Sequence, residues 1–228
     1  MTATRPSVTG LHVGASGFSY PTWRGGFYPA DARPEDFLRL YGERLRSVEL
    51  IATFYRLPSE GQLAKWAGQT PPDFRFAVKM TRSITHFGNV GQVGTFCERI
   101  RTLGDRLGVI RVQFPENRER DDAMLEFLLG SLDPELRYAF EFRHESWAGV
   151  EQRLDEAGVA LVGSLEGAAP FRYLRLREPP YDEAALQAWA GRLRPLLDDG
   201  IELFVYFKHE DEPTAPAYAA RLEQLLGD

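Results

Sequence analysis

The chain has 228 residues, of which 43% are hydrophobic and 26% are charged, and its formal net charge is -6. This composition is typical of a soluble globular protein and disfavours nonspecific binding of nucleic acid over the whole surface. No apolar run approaches the roughly 20 residues that a membrane-spanning helix needs, so no membrane partner is expected. A single cysteine, Cys97, excludes an internal disulfide framework and suits a cytoplasmic protein. Residues 1–10 lack the apolar core of a signal peptide, and we expect them to form a poorly ordered tail.

Short apolar or alternating runs recur along the chain and predict eight β-strands. In chain order they are LHVGAS (11–16), SVELI (47–51), FRFAVK (74–79), VIRVQF (109–114), YAFEFR (138–143), VALVGS (159–164), RYLRLR (172–177) and ELFVYF (202–207). Segments of helical character separate most of them, over residues 34–45, 60–69, 95–107, 122–132, 150–158, 183–197 and 215–228. Strands that alternate with helices indicate parallel pairing. In the third helical segment Thr95 and Glu98 have the spacing of a capping box, and Cys97 between them is expected to be buried rather than reactive.

Eight strand and helix units favour a closed TIM-type β/α barrel, with an open doubly wound sheet as the competing arrangement. The pattern is weakest after the sixth strand, because SLEGAAPF (164–171) is too short for a complete helix. We therefore expect residues 1–228 to form one barrel domain that is irregular around strands six and seven.

Side-chain alternation assigns one face of each strand to the barrel interior. In YAFEFRHESW (138–147), Tyr138, Phe140 and Phe142 share the face toward the helices, whereas Glu141 and Arg143 share the inner face. The same parity places further polar side chains inside, namely His12, Ser16, Glu49, Arg75, Lys79, Arg111, Gln113, Arg175, Arg177, Tyr206 and Lys208. Because active sites of these barrels lie at the carboxyl ends of the strands, residues late in their strands matter most.

Cations outnumber carboxylates in this inner set. One interpretation is a satisfied polar core, in which Glu49 and Glu141 pair with the arginines and nothing else binds. The surplus favours a second interpretation, a small anionic ligand that Arg holds with a planar pair of donors and Lys with a point charge.

Aromatic side chains follow strands one, two and five at the same predicted end of the barrel. Trp23, Tyr28, Tyr55 and Trp147 either offer a stacking surface to a sugar or base, or close the barrel mouth as a hydrophobic cluster.

The loops after strands three and five carry His86 and His144. With Glu49 and Glu141 they make a conceivable site for a divalent metal, because imidazole and carboxylate both ligate such ions. No recognised ligand spacing supports this site, and nearby cations would oppose a metal. No cofactor is implied, and His86 is better interpreted as a hydrogen-bonding or acid–base residue.

Several longer sequence motifs follow one another along the chain: GASGFSYPTWRGGFYP (14–29), SVELIATFYRLP (47–58), TPPDFRFAVKMTRSITH (70–86), VQFP (112–115), EFRHESW (141–147) and YLRLR (173–177). In these motifs the chain resembles the YecE-like family, catalogued as a domain of unknown function (number 72), over nearly its whole length. The resemblance implies a β/α barrel and no established activity. It draws attention to Trp23, Tyr28, Glu49, Thr53, Tyr55, Pro58, Lys79, Thr85, His86, Gln113, Pro115, Glu141, Arg143, His144, Trp147 and Arg175.

The chain departs from that family's pattern at three places. Ser164 stands where an acidic residue is usual, Arg177 where a histidine is usual, and Lys208 where an asparagine is usual. These replacements add positive charge to one side of the expected rim.

Our first functional hypothesis is an enzyme, of hydrolase, lyase or isomerase type, that acts on a phosphorylated sugar or nucleotide-like ligand, with Glu49 or Glu141 as base and His86 as acid. The predicted catalytic residues are Glu49, Lys79, His86, Glu141 and His144, and Lys79 is alternatively a Schiff-base nucleophile. The predicted substrate-binding residues are Trp23, Tyr28, Tyr55, Gln113, Arg143, Trp147, Arg175, Arg177, Tyr206 and Lys208. The alternatives are a noncatalytic module that binds a nucleotide or single-stranded nucleic acid, which the composition does not favour, and a metal-dependent phosphodiesterase.

Overall fold

The structure, a computed structural model, describes residues 8–227. Its eight strands are β1 (Leu11–Ser16), β2 (Ser47–Leu50), β3 (Arg75–Lys79), β4 (Leu107–Gln113), β5 (Tyr138–Glu141), β6 (Ala160–Leu161), β7 (Phe171–Leu176) and β8 (Glu202–Phe207). Its α-helices are α1 (Phe37–Gly42), α2 (Glu60–Gly68), α3 (Arg82–Thr85), α4 (Val93–Ile100), α5 (Asp122–Gly130), α6 (Glu151–Glu156), α7 (Glu183–Asp198) and α8 (Thr214–Gly227). Short 3-10 helices occupy Pro21–Trp23, Pro34–Asp36, Ala52–Phe54, Val90–Gln92, Arg101–Arg106 and Glu145–Trp147.

All eight strands belong to one parallel sheet in the order β6-β5-β4-β3-β2-β1-β8-β7. Because β1 pairs with both β2 and β8, the first and last strands join and the sheet curls into a barrel. The two edges, β6 and β7, face one another, and Gly163 N–H donates to Tyr173 O across the seam at 2.9 Å. β6 has only two residues, and the stretch from Val162 to Pro170 contains no helix. The predicted TIM-type barrel, irregular around strands six and seven, is confirmed.

Helix starts follow the local chemistry of the chain. Ser59, Asp121 and Asp182 each accept a hydrogen bond from a backbone N–H of the first turn, at α2, α5 and α7 respectively. The prediction of a capping box at Thr95 and Glu98 is wrong. The 3-10 helix Val90–Gln92 leads directly into α4, which therefore begins at Val93, before Thr95.

The strand faces divide the interior as parity predicts. The face toward the helices is apolar, and Tyr138 and Phe140 pack there with the outer core. Inside the barrel, a second apolar cluster is formed by Ala77, Val109, Ala139, Ala160, Ala169, Phe171, Tyr173, Phe204 and Tyr206. The charged cluster around Glu49 adjoins it, because Tyr173 Oη donates to Glu49 Oε1.

Cys97 is buried, and its Sγ lies 3.3 Å from Tyr138 Oη. Residues 1–7 of the expected tail lie outside the described residues, whereas Val8 packs against the core. Within residues 8–227, none of the helices combines the length and the apolar character needed to cross a membrane.

Candidate functional site

Glu49, in β2, lies at the centre of the charged cluster and is fully buried. Ser16 Oγ donates to its Oε2 at 2.7 Å, and Tyr173 Oη donates to its Oε1 at 2.7 Å. Arg175 Nε also donates to Oε2, at 3.1 Å. Burial by itself would raise the pKa of Glu49, but the guanidinium groups of Arg111 and Arg175, together with the two hydroxyl donors, lower it to about 2. Glu49 is therefore ionised at neutral pH.

Arg111, in β4, joins Glu49 to a second carboxylate, Glu141. Its Nη1 donates to Glu141 Oε2, and its Nε lies 2.7 Å from Glu49 Oε1. The Nε–H is not aimed at that oxygen and has no hydrogen-bond acceptor within the described part of the chain, so the contact with Glu49 is an ion pair. Because its side chain is only 1% exposed, Arg111 is a structural cation rather than a ligand-binding one.

Glu141, the last residue of β5, is surrounded by arginines. Besides Arg111, Arg143 Nε donates to Oε1 at 3.2 Å and Arg177 Nη1 donates to the same oxygen at 3.4 Å. Arg175 Nη1 lies 3.8 Å from Oε2. Burial opposes ionisation, but the positive charges of these arginines hold the pKa of Glu141 below its usual range.

These pKa directions change the roles expected of the two carboxylates. A general base works best when its pKa lies near the operating pH, and Glu49 and Glu141 are both held well on the ionised side. They are weak proton acceptors at neutral pH, and what their geometry does is fix the arginines.

The arginines form an inner and an outer pair. The side chains of Arg111 and Arg175 are 1% and 9% exposed, whereas those of Arg143 and Arg177 are 30% and 48% exposed. Arg175 and Arg177 line a cavity of about 500 Å³ together with the exposed Lys208, which follows β8. The outer pair and Lys208 therefore keep donors available on the solvent side.

Lys79, the last residue of β3, lies beside Arg111 in the strand register. Its Nζ donates to Gln113 Oε1 at 2.7 Å and lies 3.6 Å from the centroid of the Phe54 ring. Among residues 8–227 no carboxylate lies within salt-bridge distance of it. Burial, and then the charge of Arg111, lower the pKa of Lys79 to about 7, although Glu141 and other charges act as well.

His86 packs against the same aromatic ring as Lys79. The imidazole meets Phe54 edge-on, with 4.8 Å between centroids, and its Nδ1 lies 2.8 Å from Thr85 Oγ1. Burial, followed by the charge of Lys79, lowers the pKa of His86 below its ordinary 6.5. The ring is therefore mainly neutral at neutral pH, so it begins as a proton acceptor rather than as the acid expected from the sequence.

His144, predicted as a catalytic residue, bonds to its own loop. Its Nδ1 accepts from the backbone N–H of Ser146 at 3.2 Å and lies 2.8 Å from Ser146 Oγ. The side chain thereby caps the short helix Glu145–Trp147 and shapes the loop after β5.

Three of the aromatic residues expected to bind substrate are core residues instead. Trp23, Tyr28 and Trp147 are at most 2% exposed. The polar atom of each ring donates to a backbone carbonyl oxygen. Trp23 Nε1 donates to Glu210 O at 3.2 Å, Tyr28 Oη donates to Phe18 O at 2.5 Å, and Trp147 Nε1 donates to Arg118 O at 3.0 Å. This burial corrects the expectation of ligand contact and supports the hydrophobic cluster that was its alternative.

Tyr206 is likewise enclosed, inside the barrel, with its hydroxyl 2.6 Å from Ser47 Oγ. Tyr55, in contrast, is 67% exposed, and the guanidinium carbon of Arg82 lies 5.8 Å from the centroid of its ring. Gln113, 4% exposed, contacts the site through Lys79.

Two residues that organise the cluster were not among the predicted site residues. Arg111 was placed inside the barrel by parity but set aside because it is not late in its strand, although it bridges both carboxylates. Phe54 follows the second strand, and its ring contacts both Lys79 and His86.

The metal site considered from the sequence does not assemble from its four residues. Glu49 and Glu141 are engaged by arginines, and His144 by Ser146. Over the described range 8–227, no three His, Cys, Asp or Glu side chains are grouped as metal ligands. These residues therefore do not fit a divalent ion.

The chain is similar to known proteins in sequence and in structure. The UPF0759 protein YecE of Escherichia coli K12 is 30% identical over 140 residues, which are 59% of this chain and 48% of that protein. The chain thus spans about half the length of the curated relatives it matches. A DUF72 family protein of Thermotoga maritima MSB8 superposes with a TM-score of 0.81 at 26% identity, over 96% of this chain and 99% of that one. A DUF72 family protein of Enterococcus faecalis V583 superposes with a TM-score of 0.78 at 18% identity, over 95% and 97% of the two chains, and supports the fold alone.

The family model described as "Protein of unknown function DUF72" matches residues 12–228, which include every residue of the charged cluster. The chain belongs to the DUF72 family, whose YecE-like members the sequence motifs resemble.

Proposed function

We propose that this protein is an enzyme that binds a small anionic substrate, a phosphorylated sugar or nucleotide-like compound, at the carboxyl end of the barrel. The observation that carries the proposal is the excess of cations around two ionised carboxylates. Arg111, Arg143, Arg175, Arg177 and Lys79 lie in one cluster with Glu49 and Glu141. An uncompensated cation is costly away from water, and a ligand anion would relieve that cost.

The division of the arginines suggests which of them would hold the ligand. The buried Arg111 and Arg175 are committed to the carboxylates, whereas Arg143 and Arg177 contact Glu141 at 3.2 and 3.4 Å and remain partly exposed. We assign these two as the planar donors to a phosphate or carboxylate, with Lys208 as an outer point charge.

Proton transfer is assigned to Lys79 and His86. The pKa of Lys79 is lowered to about 7, the lowered pKa of His86 leaves its ring neutral and able to accept a proton, and both side chains contact Phe54. An amine whose pKa lies near the operating pH exchanges protons readily. A cytoplasmic setting, expected from the single cysteine, is part of the same proposal.

Titration calorimetry with phosphosugars, nucleotides and their uncharged parents tests the proposal. We expect binding of phosphorylated compounds only, weakened at least tenfold in the double variant Arg143→Gln/Arg177→Gln. The control is Arg39→Gln/Arg101→Gln, which removes the same charge from two exposed ion pairs elsewhere. Equal binding of charged and uncharged compounds, or equal loss in both double variants, would contradict the proposal.

A second candidate, binding of a nucleotide or single-stranded nucleic acid without chemistry, is favoured by one observation. Tyr55 and Phe87 are each 67% exposed, and the Arg82 guanidinium lies 5.8 and 5.9 Å from their ring centroids. These residues line a cavity of about 540 Å³ that also includes Phe54. Exposed rings beside a cation are typical of surfaces on which bases stack.

Oligonucleotide titrations at several salt concentrations distinguish this candidate. It predicts a steep loss of affinity with salt, and weaker binding in Tyr55→Ala and Phe87→Ala than in Phe127→Ala. Phe127 is a matched control, because it is 65% exposed and lies in α5. Absence of oligonucleotide binding would remove the candidate and leave the first proposal in place.

A further inference from the structure

Lys79 has the surroundings of a nucleophilic amine rather than those of a structural cation. The residue is 7% exposed, its Nζ donates to the neutral amide oxygen of Gln113 at 2.7 Å, and Phe54 covers one side at 3.6 Å. Structural buried lysines are normally paired with a carboxylate. Within residues 8–227, every carboxylate oxygen that contacts the cluster is taken by an arginine or a hydroxyl group instead.

The main chain that carries this amine is held by its neighbours. Thr53 Oγ1 donates to the carbonyl oxygen of Lys79 at 2.7 Å, and Lys79 closes a strand paired on both sides. A fixed strand end, together with the contacts of Nζ with Gln113 and Phe54, limits the geometries in which the amine meets a bound molecule.

We propose that Lys79 forms a Schiff base with an aldehyde or ketone that carries a phosphate or carboxylate group. This inference rests on the proposed function, since Arg143 and Arg177 would hold the anionic group while the carbonyl carbon meets Nζ. It narrows the substrate class from anions in general to anionic carbonyl compounds. The lowered pKa of Lys79, about 7, supports it because a large fraction of the amine is then uncharged at neutral pH.

The chemical step balances without an oxidant or reductant. The Lys79 ammonium gives one proton to neutral His86, the amine nitrogen attacks the carbonyl carbon, and the carbonyl electron pair moves to oxygen. A second proton passes from nitrogen to that oxygen, which gives a carbinolamine. His86 then returns its proton to the hydroxyl group, the C–O bond breaks, and water leaves. The product is a protonated imine on Lys79, which withdraws electrons from the neighbouring carbon and so assists proton loss or carbon–carbon cleavage there.

The chain provides its own controls, because it contains only three lysines, Lys65, Lys79 and Lys208. Lys65 is exposed in α2 and serves as the surface-amine control, whereas the exposed Lys208 lies in the proposed anion site and tests whether labelling there is selective for Lys79. We would treat the protein at pH 7 with glyoxylate, pyruvate or glyceraldehyde 3-phosphate, and with uncharged glyceraldehyde, then reduce with cyanoborohydride and map the adducts by peptide mass spectrometry. Lys79→Arg keeps the positive charge and cannot form an imine.

We expect at least one anionic carbonyl compound to label Lys79 tenfold more than Lys65 or Lys208, and uncharged glyceraldehyde to show no such preference. Similar labelling of all three lysines by every compound would overturn the inference. Calorimetric binding of the same compounds at the arginines with no adduct on Lys79 would overturn it while leaving the proposed function standing. Absence of both binding and adduct would overturn the two together.

Discussion

Replacement of Lys79 by methionine is expected to stabilise the protein at neutral pH, because it removes a buried amine whose charged form the fold disfavours. Methionine has a similar length and keeps the contact with the Phe54 ring. The fold lowers the pKa of Lys79 from 10.5 to about 7. Since one pKa unit corresponds to about 1.4 kcal/mol, the upper limit of the cost of the protonated amine is about 5 kcal/mol.

The pH dependence separates this cost from the loss of the hydrogen bond to Gln113. As pH falls from 10.5 to 7 the unfolded chain binds the lysine proton before the folded protein does, so the cost develops over this range and is complete below pH 7. Loss of the Gln113 partner costs about 1–3 kcal/mol at every pH. The charged groups that face Lys79 and contribute to its pKa are Arg111, Glu141, Glu49 and Arg143.

Denaturant unfolding at pH 7 and pH 10 measures the effect. The free energy of unfolding of Lys79→Met minus that of wild type should be larger at pH 7 than at pH 10 by about 3 kcal/mol, which means that the variant gains stability at pH 7. Lys65→Met, on the exposed face of α2, should differ from wild type by less than about 0.5 kcal/mol at both pH values. A difference for Lys79→Met that does not change with pH would refute the reasoning.

Three further predictions concern stability. Arg111→Met should lower the free energy of unfolding by roughly 3–5 kcal/mol, because it leaves Glu49 and Glu141 without their shared cation; a loss under about 1 kcal/mol in denaturant unfolding would contradict this. The pKa of Glu49 is lowered to about 2, so its ionised form stabilises the fold above pH 4.5, and this stabilisation is lost as the pH falls toward 2. The deficit in the free energy of unfolding of Glu49→Gln should therefore shrink by about 2 kcal/mol between pH 6 and pH 3. Trp147→Ala should lower the free energy of unfolding by roughly 3–5 kcal/mol, because it removes a buried ring that stacks on Phe142. A nearly unchanged melting temperature would contradict the burial of Trp147.

The fold was predictable because its signals are local and repeated. Each strand combines an apolar face with inward polar residues, and all eight predicted strands are present, with ends that differ by a few residues. Even the seam follows from a local fact, the short connection from Ser164 to Phe171. The capping box at Thr95 failed because a preceding turn decided where α4 begins, which short-range spacing does not encode.

The site was predictable only as a set of inward residues, since parity says which side chains share the interior but not which atoms meet. The register that places Lys79 beside Arg111 and Gln113 beside Glu141 is a property of strand pairing. For that reason the bridging role of Arg111 was missed. Burial is equally a tertiary property, so Trp23 and Trp147 were expected at a ligand surface, although each indole is enclosed by its own neighbourhood.

The central claim is that Lys79, at the carboxyl end of the barrel, has no carboxylate partner among residues 8–227 and can pair with a bound anion. Reductive methylation with 13C-formaldehyde followed by NMR titration measures this directly, because the three lysines give few signals. Our account predicts that Lys79 titrates near pH 7 in the free protein and that inorganic pyrophosphate moves its pKa upward, since an opposite charge favours the ammonium. A Lys79 signal that titrates near the ordinary 10.5 and does not respond to pyrophosphate would contradict it.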